Sequence, residues 1–425
     1  MSIRQLIFLA AMAGPLAGWA QPSPPAPVAP LTLAQALAAA RDNSEVALAR
    51  QSLAAARADI RRADHAPAPV LTAKTSSIDL QNGIGSGNLL TRKRIDKSIG
   101  IDWTWERGNK RALRTQAAQR SADAAQADVD DVQVQQLQAA LAAYYDLLAA
   151  QQRVRETTEM ERSATELARL AQRRVQAGDL SVQDAARTSI EAERAHADTQ
   201  TALLDKEQAA LALAQVTGRG TGVEASEADW PPLPQTTAAN SDLTAWVEAR
   251  ADVRAAAARV QAAQAALDNA SAQRKADWTV GASYDHFPGT SNRLVELRVS
   301  IPLQWGYHYE GEIGRAQAEY TQAQDTLEKT RRLALLDLQH LQQAAAGTAQ
   351  RSASFDTGIL PRARQVAQSA ELAYAKGATS LTDLLDARRT LRATALEALS
   401  ARLEHAKALG AWQLRTQPQA LSVAP

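Results

Sequence analysis

Two stretches of this chain repeat one helical pattern, and that duplication limits the fold more than any single motif does. Apolar and small residues fall at Val46, Ala49, Leu53, Ala56 and Ile60, and again at Val253, Ala256, Val260, Ala263 and Leu267. Spacings of three and four put each set on one narrow helix stripe, the kind that seats against a neighbouring helix. Each residue of the first set precedes its counterpart by 207 positions. A repeat on that scale implies one folding unit built twice.

Both helices are followed by an extended pair. Strands are expected at about 69–80 and 92–106 around the turn-rich segment 81–88, and at about 277–287 and 293–305 around 288–292. The closing strands alternate: Ile99, Ile101, Trp103 and Trp105 in one, Leu297, Val299, Ile301 and Leu303 in the other. Period two with polar residues between gives a strand one apolar and one wet face. Two isolated hairpins do not make a stable sheet. Closure into a barrel through oligomerisation would pair every edge.

After each hairpin comes a long helical stretch, 111–177 and 313–376. At 1.5 Å per residue each would reach about 100 Å. Leu137, Leu141, Tyr144 and Leu148 mark one stripe, and Leu333, Leu336 and Leu341 contribute to another. Gly347, Gly358 and Pro361 are expected to bend or interrupt the second stretch. Gly178 and Gly377 end the two stretches, with Ser181 and Ser380 three residues on. Glycine suits a left-handed C-cap and serine an N-cap, so each pair predicts a tight helix–turn–helix tip. Return helices run to about Val216 and Ala411. The fold class is therefore mainly α with a small β part, in two repeats of helix, β-hairpin, long helix and helix. The repeats occupy 21–218 and 241–411, joined by a linker over 219–240 and followed by a tail over 412–425. The glycines of 218–222 do not form a nucleotide loop, because no strand precedes them and no Lys-Ser/Thr follows.

Composition narrows the class. Arg4, the apolar run 6–16 and the small residues before Gln21 read as a signal peptide over 1–20. There is no cysteine, which removes disulfides, thiol chemistry and a Cys-linked lipid anchor. Net charge is +1, so no nucleic-acid partner is implied. Aromatic residues are only 4%, low for a globular α/β enzyme core. Past the signal peptide no run approaches 18 apolar residues, so a membrane could be entered only as a β-barrel. The scarce aromatics gather around the hairpins: Trp103, Trp105, Trp278, Tyr284, Phe287, Trp305, Tyr307 and Tyr309. That clustering favours interfacial girdles over a soluble β core. The six histidines form neither an i, i+4 pair nor HExxH, and no nucleophile–base set stands out. No metal site, no cofactor and no enzymatic activity are expected.

The whole pattern resembles the TolC-type outer membrane factor family. Segments 105–111, 287–292 and 300–316 (which holds Tyr307-His308-Tyr309-Glu310-Gly311-Glu312) are similar to its CzcC-like heavy-metal efflux branch. The resemblance implies a homotrimer in the outer membrane of a Gram-negative bacterium. Its 12-stranded β-barrel would sit in outer-membrane lipid, continuous with a periplasmic α-helical barrel. A periplasmic adaptor (membrane fusion) protein and an inner-membrane RND pump are the implied partners. The cargo would be divalent heavy-metal cations such as cobalt, zinc, cadmium or nickel. Many relatives in that branch are lipoproteins, whereas this sequence offers no Cys to acylate.

Asp383 and Asp386, three apart on one helix face, read on their own as solvated first-turn acids. By resemblance they match the acidic constriction of the pore, and Tyr374 matches a position that closes the tip. Thr379 stands where a basic residue is usual. Gly178, Leu180, Ser181, Gly377, Ser380 and Leu381 would form the adaptor-contact tips. A duct for drugs or for type I protein secretion shares this fold, and a soluble periplasmic coiled-coil scaffold is the rival of another class.

Overall fold

The structure is a computed structural model that describes residues 30–88, 94–220, 222–232 and 243–416. The signal peptide over 1–20, most of the Pro-rich end of the linker and residues 417–425 of the tail lie outside the described residues.

Each repeat opens with helices. Helix α1 (Leu33–Ala40) and α2 (Ser44–Ala63) begin the first; α5 (Leu243–Ala249) and α6 (Ala251–Ala272) begin the second. Asn43 caps α2, its side chain accepting from the Val46 amide at 3.1 Å. The duplicated stripe faces inward in both: Val46 and Leu53 are buried in α2, Val253 and Ala256 in α6.

Between helices lie four strands: β1 (Val70–Ser76), β2 (Asp96–Trp105), β3 (Trp278–Phe287) and β4 (Ser291–Ser300). They form one antiparallel sheet in the order β1-β2-β3-β4. The two hairpins are thus not separate, because β2 pairs with β3 from Lys97↔His286 to Trp105↔Trp278.

Two strands are shorter than the alternation predicts. β1 stops at Ser76 because Ser77 turns to a φ of 60° and the Asp79 carboxylate takes the Gln81 and Asn82 amides at 2.9 and 3.0 Å. That is an Asx-type turn, so residues 77–80 are not strand. β4 stops at Ser300, although Ile301, Leu303 and Trp305 continue the apolar alternation. Pro302 has no amide hydrogen to give a ladder.

The long helices follow. α3 (Lys110–Gln176) is continuous over 67 residues and returns as α4 (Val182–Thr217). Its counterpart is broken: α7 (Glu310–Ser354), a π-helical turn (Phe355–Ile359) and α8 (Leu360–Ala375), returning as α9 (Leu381–Thr416). The break falls at Gly358 and Pro361, as expected, while Gly347 leaves α7 uninterrupted. A proline ring clashes with the carbonyl four residues back, and the wider π turn relieves that clash.

The main core sits mid-way along α3. Leu141, Tyr144, Leu147 and Leu148 pack there with Leu37 of α1, Leu213 of α4, Ala225 of the linker and Leu414 of α9. Gly410 of α9 allows that approach, since a Cβ there would stand 2.5 Å from Leu141 Cδ1. The linker is therefore a packed element rather than a spacer. Leu31 bridges it in parallel at Ala225, donating to the Glu224 carbonyl at 2.7 Å. Tyr144, fully buried, donates its hydroxyl to the Asp229 carboxylate and accepts from the Ser226 amide at 3.0 Å. Burial first, then the bond to Asp229, holds the Tyr144 phenol above its ordinary range. Arg402 of α9 lies over the Trp230 ring, 4.6 Å from its centroid, and so ties the linker to the second repeat.

A second core joins Val247 and Val253 to Ala334, Leu338, Ala345 and Trp412. Leu333 and Leu336, expected in a buried stripe, are exposed instead; the smaller Ala334 and Ala345 take the packed face with Leu338.

Tyr144→Phe should destabilise the chain by about 1–3 kcal/mol, the usual cost of leaving a buried partner unpaired. The midpoint of denaturant unfolding in detergent measures this, and an unchanged midpoint would remove the linker clamp from the account.

Candidate functional site

The sheet carries one apolar and one polar face. Register places Ile99, Ile101, Trp103 and Trp105 beside Tyr284, Ala282, Val280 and Trp278, and these beside Val295, Leu297 and Val299. This face is bare: Trp103, Leu297 and Val299 are 64%, 81% and 63% exposed. A face of this size left in water would be strongly unfavourable.

The aromatic residues fall at two levels. Tyr284 lies near the β3–β4 turn, with Phe287 just past a register shift. Trp103, Trp105 and Trp278 lie at the opposite end of the ladder. Trp305, Tyr307 and Tyr309 follow β4, the two tyrosine rings 6.0 Å apart and the Tyr307 hydroxyl bonded to Glu312. Trp278 and Tyr284 are six residues apart along β3, about 20 Å at strand rise. That is close to the roughly 25 Å apolar band of a membrane barrel.

The other face is wet. Thr72, Ser98, Asp102, Thr104, Ser283, Glu296 and Arg298 share it by register. Arg298 donates to Asp102 at 2.7 Å across the whole width of β3. The strand between them carries Gly281, directly opposite both. A Cβ at Gly281 would stand 2.1 Å from Asp102 Oδ1, so only glycine lets the pair close. Sequence inspection did not find this tie, because the three residues are far apart in the chain and only the register aligns them.

At the far end of the helices the two tips have matching chemistry. Gly178 and Gly377 take φ values of 83° and 73°. Ser181 accepts from the Asp184 amide at 3.1 Å, and Ser380 from the Asp383 amide at 3.2 Å. The Asp383 carboxylate in turn receives the Ser380 hydroxyl at 2.7 Å, the Thr379 hydroxyl at 3.0 Å and the Ser380 amide at 3.3 Å. These bonds, the Ser380 hydroxyl foremost, hold its pKa below the usual carboxylate range. Thr379, which stands in place of a base, is thus part of the Asp383 cap. Asp386, on the same face, is exposed and makes no ion pair among the described residues.

Gly178, Ser181, Gly377 and Ser380 are exposed and Leu180 is half-buried. Leu381 points inward, packed with Leu167, Tyr374, Leu384 and Leu385. Tyr374 is buried in that cluster with the Arg174 guanidinium over its ring, 5.4 Å from the centroid. The two helical hairpins are also laced by Arg388 to the Ser163 carbonyl at 3.2 Å, Arg389 to Glu191 at 2.9 Å, and Arg392 to Asp198. The charged residues of α9 carry no pattern that names these partners in advance.

A four-stranded sheet with one apolar face, set on long helical hairpins, is a fold that this chain shares with solved outer-membrane channels. Residues 33–219 match the family described as outer membrane efflux protein. The whole chain is similar in structure to CusC, with a TM-score of 0.75, 17% identity and 90% of this chain covering 91% of that one. It is also similar to VceC from Vibrio cholerae (TM-score 0.72, 19% identity, 92% against 96%). MtrE of Neisseria gonorrhoeae in its open state gives 0.71, 18% identity and 90% against 88%. No curated protein sequence matches the chain. Among the described residues no helix is long and apolar enough to cross a membrane.

Gly281→Ala should break the Asp102–Arg298 pair and lower the denaturant unfolding midpoint, because the added methyl crowds Asp102. In an Asp102→Ala background the same change should cost much less. Equal costs in the two backgrounds, measured as a double-mutant cycle of unfolding midpoints, would show that Gly281 does not serve the pair.

Proposed function

We propose that this chain is the outer-membrane duct of a tripartite efflux system. Three protomers, each giving four strands, close a 12-stranded barrel in lipid above a periplasmic helical tunnel. The carrying observation is the two-faced sheet, with membrane-type aromatic levels on its bare side and an ion pair on its wet side. Both outer edges, β1 and β4, lie open in the protomer. Closure by further copies satisfies the edges, turns the bare face to lipid and leaves the wet face to line a lumen. A soluble scaffold would leave the apolar face in water. Adaptor hairpins would meet the exposed tip residues Gly178, Ser181, Gly377 and Ser380, flanked by Leu180, with Leu381 supporting them from within. An RND pump would drive the cargo.

For the cargo we favour divalent heavy-metal cations, on the similarity of segments 105–111, 287–292 and 300–316 to the CzcC-like branch. Deletion of the gene should lower tolerance to cobalt, zinc, cadmium or nickel in the native host. If tolerance to all four is unchanged while drug susceptibility rises, the metal assignment fails and the channel remains.

The narrow end is assigned to Asp383 and Asp386, with Tyr374 holding the tip together from its core. One pair from each protomer would ring the pore with carboxylates and favour cations. In planar bilayers Asp386→Asn should lower the cation-to-anion permeability ratio, and Asp383→Asn/Asp386→Asn should lower it further. An unchanged ratio in the double variant sinks the assignment. The depressed Asp383 pKa sets the sign with pH. Its carboxylate stays charged as pH falls through the ordinary carboxylate range, and its share of cation preference is lost only below that range. Ser380→Ala removes the largest stabilising bond, so the loss should move to higher pH.

A further inference from the structure

The foot of the sheet holds a groove that the duct itself does not use. Pro67 and Pro69 cannot donate to a ladder, and β1 accordingly begins only at Val70, paired with Asp102. β2 runs three residues further, to Trp105, with β3 on one side and no strand on the other. The gap is a groove lined by the apolar Ala66, Pro67, Trp103, Trp105 and Val280 and by the polar Thr104, Glu106 and Arg111. It opens at the helical end of the apolar face, level with the lower aromatics.

Cations gather at that level. The Arg107 guanidinium lies over Trp278, 4.5 Å from the ring centroid, and Trp278 is the direct cross-strand neighbour of Trp105. Arg107, Arg274 and Lys275 are exposed and form no ion pair among the described residues. Gly108, at a φ of 73°, leaves room for the Lys275 stem, which a Cβ would meet at 2.7 Å. The nearby acids are already engaged. Glu106 takes Arg114 at 2.6 Å, and Asp277 takes Lys110 at 2.9 Å and the Arg107 amide at 3.0 Å. Arg111 shares Asp64 at 3.0 Å in an exposed pair that is cheap to give up.

We infer that this groove binds an anionic phospholipid of the periplasmic leaflet, one acyl chain along Trp103, Trp105 and Val280 and the phosphate between Arg111 and Arg107. The inference rests on the barrel reading above, which puts this face in lipid and this level at the headgroups. Charge complementarity selects the lipid class. An apolar trough with the unpaired Arg107 guanidinium near it, and Arg111 held only in an exposed pair with Asp64, suits a chain joined to a phosphate better than a bare acyl chain or a soluble anion. Each arginine contributes by being close to the anionic headgroup, on the scale of about fivefold in affinity. The sequence offers no cysteine for a covalent lipid. A bound phospholipid would seat the barrel foot in the leaflet without one.

The test is native mass spectrometry of the full-length, delipidated protein in detergent, titrated with phosphatidylglycerol, phosphatidylcholine of the same chains, or inorganic phosphate. Phosphatidylglycerol should bind at one per protomer and at least tenfold more tightly than phosphatidylcholine. Arg107→Ala and Arg111→Ala should each weaken it about fivefold, and Trp103→Ala should weaken both lipids. Equal binding of the two lipids, or affinities unmoved in Arg107→Ala/Arg111→Ala, overturns the inference. So does full displacement by inorganic phosphate, which would mark an anion site only, or a crosslink from Trp103 to a neighbouring protomer, which would mean that a second copy fills the groove. The same spectra and bilayer currents report trimer mass and conduction. Trimers that conduct without binding lipid refute this proposal alone, whereas the absence of both refutes the channel reading.

Discussion

The bare apolar face of the sheet is the constraint on which the rest of the structure depends. Each exposed Å² of it costs on the order of 25 cal/mol in water. Nothing within the chain's described residues covers it. The helices cannot turn back to do so, because they leave the foot of the sheet and run the other way to the tips. The fold therefore has its lowest free energy only where that face meets a non-aqueous phase. The wet face, with its Asp102–Arg298 pair, is equally unsuited to hydrocarbon. The two requirements together fit the proposed closed surface with lipid outside and water inside.

What makes one sheet of two hairpins is the β2–β3 ladder, and its geometry governs both faces. Nine residue pairs run from Lys97↔His286 to Trp105↔Trp278, long enough to fix a register. Slipping β3 by one residue against β2 would turn Trp278 and Val280 to the wet face and Asp285 to the apolar one. Gly281 adds a local lock on the wet side, since the Asp102–Arg298 bond forms across it only in this register. At the other end the repeats are joined by side chains, not by backbone. Arg174 on the Tyr374 ring and Arg389 on Glu191 are contacts that can part without unfolding either hairpin. The sheet end is thus joined by a backbone ladder and the tip end by side chains alone.

Much of this was legible in the sequence because it is periodic. Two stripes spaced three and four, two runs of alternation, and two glycine–serine tips each repeat a local rule, and the chain obeys them. The strand ends were less so: Ile301, Leu303 and Trp305 keep the alternation after Pro302 has ended the ladder, so hydrophobic period and hydrogen bonding part company. The linker over 219–240 is expected from the family resemblance to form an equatorial segment, but its partners are not legible in its prolines and acids. Its role comes from Tyr144 reaching Asp229, 85 residues away, a contact no local pattern encodes. The same limit applies at the tip. Asp383 and Asp386 look alike on a helical wheel, yet the first is occupied by its Ser380 and Thr379 hydroxyl partners and only the second has a free carboxylate.

The differences between the repeats then acquire a physical order. The first long helix, α3, is unbroken and lies against α2, α4, α6 and α9. It behaves as the strut. The second is cut by the π turn at Phe355–Ile359, where Pro361 removes a helical hydrogen bond and Gly358 contributes no side chain to stiffen the turn. Below that cut lie α8, the Asp-bearing tip and the arginines of α9 that grip the first hairpin. Where the second repeat carries Asp386, the first has Arg187, paired to Asp184 at 3.8 Å, so the first hairpin has a base at the matching place. The π turn, the arginines that reach the neighbour and the proposed constriction residues all fall on the same hairpin. A duplicated unit has been divided in this way into a half with one continuous long helix and a half, interrupted by a π turn, that carries the proposed constriction.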